Sequence, residues 1–67
     1  MYMRDTAQRV AAKQSILAHE ERYVLFVPDH VPSGYCYDVV SPEDLDTYYA
    51  GYRDSDIFCC YVNGKLA

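Results

Sequence analysis

The sequence predicts a small α+β domain: an N-terminal helix plus a three-stranded antiparallel sheet with one short helix, in the order α-β-β-α-β, assembled as a homodimer. Three observations lead there. Apolar residues recur at helical spacing through residues 1–21. Three short runs rich in β-branched and aromatic residues follow. A fully specified helix start sits between the second and third of those runs. The 67 residues make one domain, 1–67, with the N-terminal helix over 1–21 and a β-β-α-β core over 22–67.

In the first segment, Ala7, Val10, Ala11, Gln14, Leu17 and Ala18 share one stripe, while Arg9, Lys13 and Glu20 take the wetter side. The helix is expected to start near Asp5 or Thr6, with Met1–Arg4 frayed. Half of its stripe is alanine, so it packs closely or only lightly, and it is expected to cover sheet or dimer surface. Arg22–Val27 (RYVLFV) is the clearest strand, with Tyr23, Leu25 and Val27 on one side and Val24 and Phe26 on the other. A strand apolar on both faces needs cover on both. Pro28–Gly34 holds two prolines and a glycine and reads as a loop into a second strand, Tyr35–Val40, forming a hairpin. Ile57–Val62 (IFCCYV) is the third strand; Asn63-Gly64 then signals a turn, with only a stub of chain beyond it.

Between strands two and three lies SPEDLDTYYAG, Ser41–Gly51. Ser41 can cap the helix, Pro42 suits its first turn, and Asp44 completes an S-x-x-D capping box. Gly51 supplies a residue that readily takes a left-handed stop. At about 100° per residue, Leu45, Tyr48, Tyr49 and Tyr52 fall on one stripe, flanked by Asp44 and Asp46 with Glu43 behind. A core-facing helix explains Leu45 and one tyrosine. Several tyrosines, each with a hydroxyl to satisfy, suit an interface better.

Composition narrows the function classes. The chain is 51% hydrophobic with 8 tyrosines, too apolar for a disordered acidic tail, and a body this small buries only about 60% of its unfolded surface. Self-association follows. Net charge is −4, and acid concentrates between Asp29 and Asp56, where Arg53 is the sole cation. Direct nucleic-acid binding is disfavoured, because phosphate contact needs a basic footprint; a basic protein partner fits. Cys36, Cys59 and Cys60 form no C-x-x-C pair, His19 and His30 share no ligand spacing with them, and no metal or cofactor is implied. An odd cysteine count and no signal peptide point to reduced thiols in a cytoplasm. No apolar run reaches the roughly 20 residues of a membrane span. There is no nucleophile elbow, no phosphate-binding glycine loop and no facing carboxylate pair. A binding protein is expected, not an enzyme.

The run Y-V-L-F-V, Y-C-Y-D, S-P-E-D-L-D-T-Y-Y-A-G and I-F-C-C-Y-V-N-G-K-L, spanning Tyr23–Leu66, resembles the small dimeric uracil-DNA glycosylase inhibitors encoded by certain Bacillus phages. The N-terminal helix lies outside the resemblance. It implies DNA mimicry: two copies pair and form an apolar pocket that takes the wedge the glycosylase inserts into DNA, with carboxylates standing where phosphates would be. By position, the family's pocket phenylalanine corresponds to Leu45, its neighbouring glutamate to Asp46, its pocket tyrosine to Tyr49, and its strand glutamate to Cys36. Leucine for phenylalanine alters the lining, and Cys36 lacks a charge that Asp38 could replace.

The partner-binding set expected from residues and resemblance together is Leu45, Tyr48, Tyr49, Tyr52, Asp38, Glu43, Asp44 and Asp46. The expected partner is a host uracil-DNA glycosylase in the cytoplasm of an infected cell, met without direct nucleic-acid or membrane contact. An alternative is another acidic host-takeover protein, anti-restriction or anti-CRISPR, that blocks a different basic cleft. A third is a structural dimer whose acids only keep it soluble.

Overall fold

Strand alternation sends successive side chains to opposite faces, and here each face meets its own cover. The computed structural model describes residues 2–28 and 36–67. In chain order the elements are α1 (Arg4–Leu17), β1 (Arg22–Phe26), β2 (Tyr37–Val40), α2 (Pro42–Asp46), a 3-10 turn (Asp54–Asp56), β3 (Ile57–Val62) and β4 (Lys65–Leu66). The sheet is antiparallel, in the order β2-β1-β3-β4. Four strands therefore replace the expected three. Asn63 and Gly64 both take positive φ (52° and 81°), a backbone that folds the last residues back as a two-residue strand. Apart from Pro28, the expected loop over residues 28–34 lies outside the described residues, as does Tyr35 at the start of the expected second strand.

Two apolar clusters sandwich the sheet. On one face Val24 packs with Ala7 and Ala11 of α1, joined by Tyr2, Tyr37, Val39, Cys59 and Tyr61. On the other, Leu25, Val27 and Val40 pack with Tyr23, Leu45, Tyr49, Tyr52 and Ile57. The two-sided strand of the sequence is thus covered within one chain, by α1 on one side and the α2 segment on the other.

The buried face of α1 is Ala7, Ala11 and Ser15, one residue every four. The expected stripe also held Gln14, Leu17 and Ala18, which are instead exposed. Ser15 takes the inner position because its hydroxyl is satisfied there: Oγ donates to the Ala12 carbonyl (2.7 Å) and accepts the Gly64 N–H (2.8 Å). That second bond ties the last turn of α1 to the β3–β4 turn. The helix covers 4–17, not 1–21, and the chain leaves it through His19 in a left-handed conformation (φ 52°). The residues before it are not all frayed. Tyr2 exchanges both backbone hydrogen bonds with Tyr37 (2.8 and 3.1 Å) and shields the outer edge of β2.

A register shift between Val24 and Leu25 breaks the alternation of β3. Val24 lies opposite Cys59 while Leu25 lies opposite Ile57, so Phe58 is the extra residue of a bulge. Its ring turns to the α1 side, against Tyr37 (centroids 5.6 Å apart), and Ile57 drops into the other cluster.

Candidate functional site

The acidic segment begins with the capping box its sequence specifies. The Asp44 N–H donates to Ser41 Oγ (3.1 Å), and the Ser41 N–H donates to Asp44 Oδ2 (3.0 Å). The helix then stops early, at Asp46. Thr47 turns its hydroxyl back onto the Glu43 carbonyl (2.9 Å) and leaves helical geometry (φ −116°, ψ −85°). Gly51 shows no positive φ, so the expected glycine stop is not what ends α2. The chain unwinds through Thr47–Gly51, and the Tyr49 N–H reaches the Asp44 carbonyl (2.9 Å).

That early exit splits the expected stripe. Leu45, Tyr49 and Tyr52 are half-buried against the Leu25–Val27–Val40 cluster. Tyr48 is thrown outward, 87% exposed. A regular helix would have kept Tyr48 beside Leu45; the unwinding after Asp46 is why it does not.

Leu45 and Tyr52 form walls of a groove of about 310 Å³ between α2 and the start of β3. Tyr23 and Ile57 add apolar surface from the sheet, and Asp46, Arg53 and Asp54 bring charge to it. Asp46 and Asp54 are exposed, so their carboxylates face solvent at its margin. The size suits a few partner side-chain carbons better than a large cofactor, since it lies at the low end of ligand-pocket volumes. The Tyr23 hydroxyl is pushed above its ordinary pKa, first by burial and then by Glu21, and stays neutral at physiological pH.

Asp38 and Tyr49 form a separate pair beneath α2. The Tyr49 hydroxyl donates to Asp38 Oδ2 (2.5 Å), while Asp38 Oδ1 accepts the Val39 N–H (2.9 Å). Burial, and then the hydrogen bond and charge of Asp38, hold the Tyr49 pKa far above that of a free phenol. The Tyr49 ring meets Tyr52 edge-on, centroids 5.3 Å apart. Tyr49 is therefore an anchor that fastens the segment after α2 to β2.

The structure thus brings Leu45, Tyr52 and Asp46 into one groove and sets Asp38 and Tyr49 apart as an internal pair. Asp44 is occupied by the cap, and Glu43 and Tyr48 are exposed away from the groove lining. Sequence reasoning missed Tyr23, Ile57, Arg53 and Asp54. Alternation does place Tyr23 on the face of Leu25, but only the bulge brings Ile57 beside it.

Cys59 and Cys60 face opposite sides of β3, and the three cysteines are free thiols. Among the described residues no cluster of His, Cys, Asp or Glu could hold a metal ion, and no helix is long and apolar enough to cross a membrane. Comparison with protein-family models, curated proteins and solved structures finds no match.

Proposed function

We propose that this chain is a stoichiometric protein inhibitor of uracil-DNA glycosylase that acts by DNA mimicry. It would work as a homodimer in the cytoplasm of an infected host cell and carry out no catalysis of its own. One observation carries the reading: a groove walled by Leu45 and Tyr52 over Tyr23 and Ile57, with the Asp46 and Asp54 carboxylates and the Arg53 guanidinium at its margin. An enzyme that flips bases presents a basic DNA-binding surface and an apolar wedge that fills the gap left in the duplex. The groove offers the complement of both. The wedge enters the apolar part, where burying one leucine-sized side chain contributes roughly 1.5–3 kcal/mol. The carboxylates stand in for phosphates, steering approach and setting orientation.

A uracil-excision assay with purified glycosylase and rising amounts of this protein tests the proposal. Activity should fall in proportion to added inhibitor and vanish near equivalence. Full excision at a clear molar excess would refute it. Inhibition of a restriction or CRISPR nuclease in the same titration would then transfer the mechanism to another basic cleft.

A further inference from the structure

We infer that Arg53 is a specificity-determining residue of the groove: its guanidinium donates hydrogen bonds to main-chain carbonyl groups of the target loop that carries the wedge. The assignment rests on the glycosylase reading and names how the loop behind the wedge is held. Arg53 is the sole cation in the acidic stretch from Asp29 to Asp56, and it lines the groove together with Asp46 and Asp54. Its root is fixed. The Arg53 N–H donates to Asp56 Oδ2 (2.9 Å), and its carbonyl accepts the Asp56 N–H (2.9 Å), so the 3-10 turn holds the backbone in place. Its head is free. Among the described residues the ion pairs are Arg4–Asp5 and Arg22–Glu20, and neither an ion pair nor a side-chain hydrogen bond engages the Arg53 guanidinium.

The chemistry of the occupant follows from that free head. A guanidinium carries N–H donors in a rigid fork and no acceptor, so it calls for oxygen. Arg53 is exposed, and in the free protein water meets its donors. A wedge that enters the groove brings its loop backbone against the wall and displaces that water. Loop carbonyls lack the regular partners of a helix or strand, so once buried they need a donor from the other side of the contact. Local charge selects a carbonyl over a carboxylate. Asp46 and Asp54 outnumber Arg53 at the groove, so an incoming carboxylate meets net repulsion and a neutral carbonyl does not.

Charge alone gives the opposite expectation for this residue. If Arg53 only tempered the acids around it, removing it from a surface that faces a basic enzyme would speed association and tighten the complex. If its donors are used, removing it leaves target carbonyls buried without a partner, and the complex dissociates faster. The two effects fall on different rate constants and carry opposite signs.

Surface-binding kinetics of the full chain on purified uracil-DNA glycosylase, at low and at high salt, test the inference. Arg53→Ala should raise the dissociation rate about tenfold or more, the effect of leaving hydrogen bonds to a charged donor unmade, with association as fast as wild type or faster. The faster dissociation should persist at high salt, where exposed charges are screened. Arg53→Lys keeps the charge without the planar fork, so it should associate like wild type and recover only part of the lost residence time. Arg9→Ala removes the same charge at the recess beside α1, on the opposite side of the sheet, and should leave the dissociation rate unchanged. Because the Arg53 side chain is exposed, urea unfolding of its variants should match the wild-type protein. An Arg53→Ala protein that binds more tightly, dissociates at the wild-type rate, or loses its defect at high salt would overturn the inference and leave the inhibitor standing. A wild-type protein that binds no glycosylase would overturn both.

Discussion

Removing the Tyr49 hydroxyl, with Tyr49→Phe, asks how firmly the segment after α2 is fastened to the sheet. The variant loses the bond to Asp38 Oδ2 (2.5 Å) but keeps the ring and its contact with Tyr52. A hydrogen bond to a charged group contributes about 1.5–3 kcal/mol. Asp38 is only half-buried, so water can take the place of the phenol and the net loss should be about 1 kcal/mol. Asp38→Ala should cost more, about 2 kcal/mol, because the Val39 N–H also loses its acceptor. Combining both changes should cost no more than Asp38→Ala alone, which makes the coupling about 1 kcal/mol. Urea unfolding of the four proteins at neutral pH measures all of this. Simple additivity would show that the pair does not act as a unit. The same bond sets a pH dependence. The phenol ionises at 10.0 in the unfolded chain and well above that when folded, so the folded state holds its proton longer. Its contribution is complete below pH 10 and declines as pH climbs from there towards the folded value. Tyr23 and Tyr61 are raised by burial as well, so wild-type stability should fall above pH 10 and Tyr49→Phe should fall less steeply.

Three further outcomes follow from the same geometry. Ser15→Ala should destabilise by about 1 kcal/mol, because it strips the half-buried Gly64 N–H of its acceptor; thermal or urea unfolding reads it. Gly64→Ala places a methyl 2.6 Å from Ile16 Cδ1, but that exposed side chain can swing aside, so the cost should be the roughly 1–2 kcal/mol of a left-handed non-glycine backbone, unchanged in an Ile16→Ala background. Asp46→Asn should leave stability within about 0.5 kcal/mol and slow association with the glycosylase in stopped-flow, with the deficit shrinking as salt rises.

Much of the fold was legible because local rules and tertiary packing agree. The capping box at Ser41 and the positive-φ pair at Asn63-Gly64 are set by side chains within a few residues, and both form as the sequence specifies. Bounds for Ile57–Val62 coincide with the predicted strand. What was not legible depends on distant partners. Ser15 reads as one more polar residue until the β3–β4 turn supplies the N–H that makes its burial affordable. The register shift in β3 has no sequence signature here, since IFCCYV alternates equally well either way. Helical spacing groups Tyr48 with Tyr49, but the helix ends before either, and only the ring with a carboxylate to meet is drawn inward.

The bulge is also what separates the two faces. One extra residue at Phe58 moves an aromatic ring to the α1 side and an aliphatic one to the α2 side in the same step. Without it, Ile57 would leave the groove floor and Phe58 would leave its contact with the Tyr37 ring. The charge follows the same division. Asp46 and Asp54 outnumber Arg53 at the groove, whereas Arg4 and Arg9 outnumber Asp5 at the recess beside α1.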